Sequence, residues 1–145
     1  MMNELPDFEE IADDMSYLPD LDAKFQYLIG LSKKLPEFAE EDKIDDYRVW
    51  GCQSSVWLVP GMDASVTPPV MRFRGVSDSV LVSGIIAIVL SLHSGRTPEA
   101  ILELDAPEEL QRLDLKSHLS PGRQNGLAGM LEQIRKNAAD AISAG

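Results

Sequence analysis

Cysteine is almost absent from this sequence: Cys52 is the only one among 145 residues. One thiol cannot close an internal disulfide, and it cannot supply the several thiolates of a cysteine-rich zinc or iron–sulfur site. A reducing, cytoplasmic setting is the matching expectation. Histidine is scarce as well, with only His93 and His118. A cysteine hydrolase needs an imidazole within hydrogen-bond reach of its sulfur. His93 closes an apolar segment, where it would meet terminal helix carbonyls, and His118 precedes a helix-start signal, so hydrolysis has little support. Basic residues are outnumbered, 13 against 24 acidic ones, for a formal net charge of −11. Such a surface repels phosphate backbones, and nucleic acid is not an expected partner. Long apolar runs are missing too. The longest, VLVSGIIAIVLSL over residues 80–92, falls short of the roughly 18 residues of a membrane span and reads as a buried element. The first twenty residues are acidic, and no apolar core follows a basic start, so no secretory leader is read there.

What is present is unevenly arranged. Up to Asp46 there are 14 acidic residues against 4 basic ones; from Tyr47 to Thr97 there are 2 against 4. The acidic first third could steer the chain toward a basic partner or serve only as a solubilising face. Its length fits a single domain over residues 1–145, opening with a short acidic N-terminal segment, 1–20.

Hydrophobic spacing sets the expected elements. Phe8, Ile11 and Met15 predict a short helix near 7–17, and Phe25, Leu28, Ile29 and Ser32 a second one from about Asp22 to Leu35-Pro36. Residues 49–59 favour a strand, Pro60-Gly61 and Thr67-Pro68-Pro69 bracket a turn, and residues 70–75 alternate as a strand with one wet face. Ser77 or Asp78 is expected to cap an uncharged helix over 79–94. Thr97-Pro98-Glu99 opens one or two short helices across 98–115, and Ser120-Pro121 opens a C-terminal helix of about twenty residues. The predicted fold class is α+β: a small antiparallel β-sheet packed against several helices.

The stretch around Cys52 reads RVWGCQSSVW, residues 48–57. A free cysteine is commonly a small, buried, apolar side chain. Here Gly51 permits tight-loop geometry, Gln53 and Ser54 bring polar groups into an apolar stretch, and the thiol stands where an acidic connection enters the predicted strand. Burial by Val49, Trp50, Val56 and Trp57 would raise its pKa; Arg48, Arg123 or a helix N-terminus close by would lower it. A disulfide oxidoreductase needs a resolving cysteine, which is lacking. The same lack protects a persulfide, because no second thiol can attack it and close a disulfide.

Arg48-Val49-x-Gly51-Cys52-Gln53-Ser54-x-Val56-Trp57 resembles the signature of the SufE/CsdE family, the sulfur acceptors of cysteine desulfurases. Further similar stretches follow in the family's order: Phe25–Ile29 through Lys33–Pro36, Ser77-Asp78-Ser79 leading to Gly84, Ser94–Glu99, and His118–Pro121 with Arg123, Gly126 and Leu127. They cover roughly residues 20–140 of the chain. Tyr47 replaces the asparagine that commonly precedes the arginine, and Gly122 replaces a small polar residue.

The resemblance implies a SufE/IscU-like fold and a mechanism. A pyridoxal-phosphate (PLP) cysteine desulfurase, SufS/CsdA-like, would hand sulfur to Cys52 as a persulfide. The chain would stimulate that desulfurase and pass the sulfur to a downstream iron–sulfur scaffold. It would itself carry no cofactor and no metal, PLP belonging to the partner. Gly51, Gln53 and Ser54 would form the supporting loop, and Arg123 would lie near the thiol or at the partner surface. Two other readings compete: a binding module that regulates a desulfurase by contact alone, and a free-standing thiol enzyme that turns over without a partner.

Overall fold

A computed structural model of the chain describes residues 5–50, 54–115 and 119–144. Two helices open it, the acidic α1 (Phe8–Ser16) and α2 (Leu21–Ser32). Each is started by an aspartate whose carboxylate accepts a backbone N–H three residues on, Asp7 from Glu10 and Asp20 from Ala23. The end of α2 comes three residues before the expected Leu35. Its last N–H groups, from Lys33 to Leu35, bond three residues back instead of four, so the chain tightens and leaves the helix before Pro36 obliges it to. Leu28 and Leu31 are its buried residues; Phe25 and Ile29 are only half-buried.

Strands β1 (Val56–Asp63) and β2 (Val70–Ser77) form a two-stranded antiparallel sheet in which Val56 faces Ser77 and Asp63 faces Val70. β2 alternates as predicted, with Met71, Phe73 and Gly75 buried between Val70, Arg72 and Arg74. β1 corrects the sequence reading at both ends. It begins at Val56 and runs straight through Pro60-Gly61, where the sequence suggests a turn. The register explains how proline is tolerated there. The N–H of Phe73, opposite Pro60, bonds Ser94 Oγ on the far side of β2, so this is a non-hydrogen-bonded pair and the ladder asks no donor of Pro60. The outer edge of β2 is occupied: Met71 N–H donates to the Arg96 carbonyl and its own carbonyl accepts from Gly95, both at 2.8 Å.

The uncharged helix α3 (Val80–His93) is the centre of the core, with Ile86, Ala87, Ile88 and Val89 without solvent exposure. Its cap is Ser79, whose hydroxyl accepts from Val82 N–H, rather than Ser77 or Asp78. One face of α3 lies on β2 and another on α2. At that helix crossing Gly84 lies so close to Leu28 that a Cβ on it would run into the Leu28 carbonyl group. Thr97 and Asp105 cap two short helices, α4 (Pro98–Glu103) and α5 (Ala106–Gln111). The long α6 (Pro121–Ala144) closes the molecule, burying Gly126, Met130, Ile134 and Ala138 at intervals of four. The architecture is α+β, six helices and one two-stranded antiparallel sheet among the described residues.

Candidate functional site

Cys52 and its neighbours Gly51 and Gln53 lie outside the described residues, as does His118. The two chain arms that lead to them are described, and both are anchored. On the first arm, two short helical turns end at Tyr47 and the backbone straightens, which lets Val49 N–H donate to the Val56 carbonyl at 2.9 Å. Val49 itself is buried. On the second arm, Ser55 N–H donates to Asp78 Oδ1 at 3.2 Å, and Asp78 N–H returns a bond to the Ser55 carbonyl at 3.3 Å. The aspartate expected to cap α3 thus clasps the return arm instead. Ser54, just before it, is half-buried.

Between these anchors the side chains form a layered stack. The Arg48 guanidinium lies 4.9 Å from the centroid of Trp50 and 5.5 Å from that of Trp57, and Lys43 Nζ stands 5.7 Å from Trp57. Each cation faces the electron-rich side of an indole. Arg48 Nε is buried with no hydrogen-bond partner among the described residues, so stacking and not hydrogen bonding holds that part of the side chain. The acidic connection reaches the same region: Asp42 pairs with Arg74 at 3.2 Å on the wet face of the hairpin. The acidic first third therefore partly neutralises the mildly basic middle of the chain.

Helix α6 passes the base of the first arm. A Cβ on Gly129 would stand 3.3 Å from the Trp50 carbonyl oxygen and 3.5 Å from Val49 Cγ1, so a residue without a side chain gives the arm its place. Arg123 is on the same helix, six residues earlier, about 9 Å along the axis and about 120° round it from Gly129. Its N–H donates to the Ser120 hydroxyl, completing the expected cap; the residue is half-buried, and its guanidinium makes no hydrogen bond or ion pair among the described residues. The structure thus gathers Arg48, Trp50, Ser54, Trp57 and Asp78 at the base of the cysteine-bearing stretch. Asp78 and Gly129 were not singled out from the sequence as parts of this arrangement. Their partners are far away along the chain, so no local pattern marks them.

His93 is 2% exposed at the end of α3, with Nδ1 2.8 Å from the Val89 carbonyl. Burial, reinforced by the nearby Arg96, pushes the imidazole below its ordinary value against the opposing pull of that hydrogen bond. Among the described residues no three His, Cys, Asp or Glu side chains are grouped closely enough to hold a metal ion, and no described helix is long and apolar enough to cross a membrane.

Residues 9–138 match the SufE family, described as an Fe-S metabolism associated domain. The chain belongs to the SufE family. An uncharacterised SufE-like protein of Rhizobium etli is 41% identical over 130 residues, covering 90% of this chain and 88% of its own. A second, from Rhizobium meliloti, is 35% identical over 136 residues, covering 94% and 97%. The solution structure of a hypothetical protein from Thermus thermophilus superposes with a TM-score of 0.72 at 20% identity, over 94% of this chain and 96% of that one; it bears on the fold alone. Membership ties this SufE-family chain to iron–sulfur metabolism. It also covers, within one matched span, both anchored arms, the clasp at Asp78 and the stretch that contains Cys52.

Proposed function

We propose that this chain is the sulfur acceptor of a PLP-dependent cysteine desulfurase, carrying sulfur on Cys52 as a persulfide, stimulating the desulfurase, and passing the sulfur to iron–sulfur cluster assembly. The observation that carries the reading is the coincidence of SufE membership with a lone cysteine in a stretch whose two arms are separately tied down, by Val56 and by Asp78. The Cys52 thiolate attacks the terminal sulfur of the desulfurase persulfide; a new S–S bond forms as the old one breaks, and the desulfurase cysteine leaves as a thiolate. No net oxidation occurs, and the only proton lost is the one that Cys52 gives up to become nucleophilic. Having no second thiol in its own chain, the persulfide waits for an external acceptor. Arg48, held between two indoles, keeps a permanent positive charge four residues before the cysteine. Arg123 is a second cation for the partner surface, its guanidinium without a hydrogen bond among the described residues.

Intact mass after incubation with a cysteine desulfurase and cysteine, without reductant, tests this. The expected result is a gain of one sulfur atom that reductant removes and that Cys52→Ser lacks. Stimulation of the desulfurase by folded Cys52→Ser, equal to that by the unsubstituted chain, would replace this reading with a regulatory module acting by contact alone.

A further inference from the structure

A cleft of about 740 Å³ lies between the α4–α5 connection and the outer face of α6, with Trp50 on its wall. Among the described residues, Glu103, Asp105 and Glu132 line it against a single cation, Arg135, and one guanidinium N–H of Arg135 is already given to the Leu102 carbonyl at 2.9 Å. Asp105 spends one oxygen on capping α5 and keeps the other. A carboxylate cluster alone says little about a ligand. The second observation is His93, which lines the same cleft although its residue is almost wholly buried. A carbonyl can only accept, so Nδ1 carries the proton toward Val89, and the neutral ring presents Nε2 as a bare acceptor without a partner among the described residues. Its depressed pKa agrees with that neutral form.

The carboxylates and His93 thus offer acceptors, next to an indole that is 63% exposed. That chemistry fits an ammonium or guanidinium group. The cleft also continues sideways. A smaller apolar pocket of about 200 Å³ between α5 and α6 shares Pro107, Ala128 and Leu131 with it and adds Leu110, Leu115 and Leu127. A free amine would leave this second pocket unused; a polypeptide carrying a basic residue beside an apolar one would fill both.

We propose that this trough docks a basic segment of a partner protein, a lysine or arginine side chain entering between Glu103, Asp105 and Glu132 toward His93 Nε2, with an apolar neighbour seated in the adjoining pocket. The surface is separate from the chemistry of Cys52 and does not depend on sulfur transfer. Its position beside Trp50 would hold such a partner next to the anchored arms.

A titration of the isotope-labelled chain with a short capped peptide of two arginines and two leucines, followed by NMR, tests the proposal. The expected result is saturable movement of the Ala106, Ala128 and Leu131 amides and of the His93 ring. Replacing Glu103 and Glu132 together by glutamine should weaken binding roughly fivefold or more. Ala128→Trp, at an exposed position, should abolish it with an unchanged melting temperature. Movement confined to the acidic stretch 40–46, unchanged affinity in both variants, or equally tight binding of free arginine amide would overturn the proposal. Mass gain at Cys52 is read separately with a desulfurase, so failure of the trough leaves the sulfur-acceptor reading standing, and the reverse.

Discussion

His93 shows how a single side chain can be legible in identity and illegible in surroundings. Its place at the end of an apolar run predicted a helix-terminal partner, and Val89 is that partner. That it also forms part of a cleft wall depends on α6, more than thirty residues later, and no local pattern announces it. Its titration has a defined sign. The folded pKa lies below the ordinary 6.5, so below pH 6.5 the unfolded chain binds more protons than the folded one. Stability from this residue therefore falls on acidification from 6.5 down to the lowered folded value and levels off beneath it. Melting temperature against pH for the unsubstituted chain and for His93→Gln checks this. The variant should have the shallower slope in that window, and parallel curves would remove His93 from the balance.

At the level of elements, the helices were the easier part. Capping hydroxyls, carboxylates and prolines act within one turn, so Thr97-Pro98 and Ser120-Pro121 marked their helix starts correctly. β1 was harder, because whether a proline interrupts a strand depends on which hydrogen bonds the opposite strand needs. Phe73 answers that question through Ser94, and neither residue is near Pro60 in sequence. The closeness of α2 and α3 was equally hidden. Gly84 looked like one small residue in an apolar run, yet at it the backbones of the two helices come close together. Gly84→Ala forces its methyl group onto the Leu28 backbone, which cannot rotate away, and should cost about 3 kcal/mol or more. Urea denaturation measures it; a loss under about 1 kcal/mol would mean that the helices separate easily.

Across the whole molecule, the charge of −11 is the dominant long-range feature. Much of it stands on exposed carboxylates of α1, α2 and the connection that follows, with only scattered ion pairs such as Glu9–Arg112 and Asp42–Arg74 to offset it. Self-repulsion of this kind is screened by salt. The melting temperature should accordingly rise as sodium chloride is raised from low to physiological concentration. A fall would show that the attractive pairs outweigh the repulsion. Sequence resemblance identified the family, since its motifs rest on contiguous residues. The trough on α6 was not legible, because its carboxylates, indole and imidazole come from four separated stretches of chain that only packing assembles.

The proline in β1 has one more effect. Among the described residues the sheet has two strands, and each outer side is already engaged: that of β2 by residues 94–96, that of β1 at Val56 by the arm carrying Val49. Among the remaining outward positions of β1, Leu58, Pro60 and Met62, the middle one has no N–H to give. An extended peptide joining this edge as an extra strand would therefore meet a ladder with one donor missing at its centre. Side chains, helix surfaces and loops carry no such gap, and single substitutions there can retune the choice of partner without disturbing the sheet.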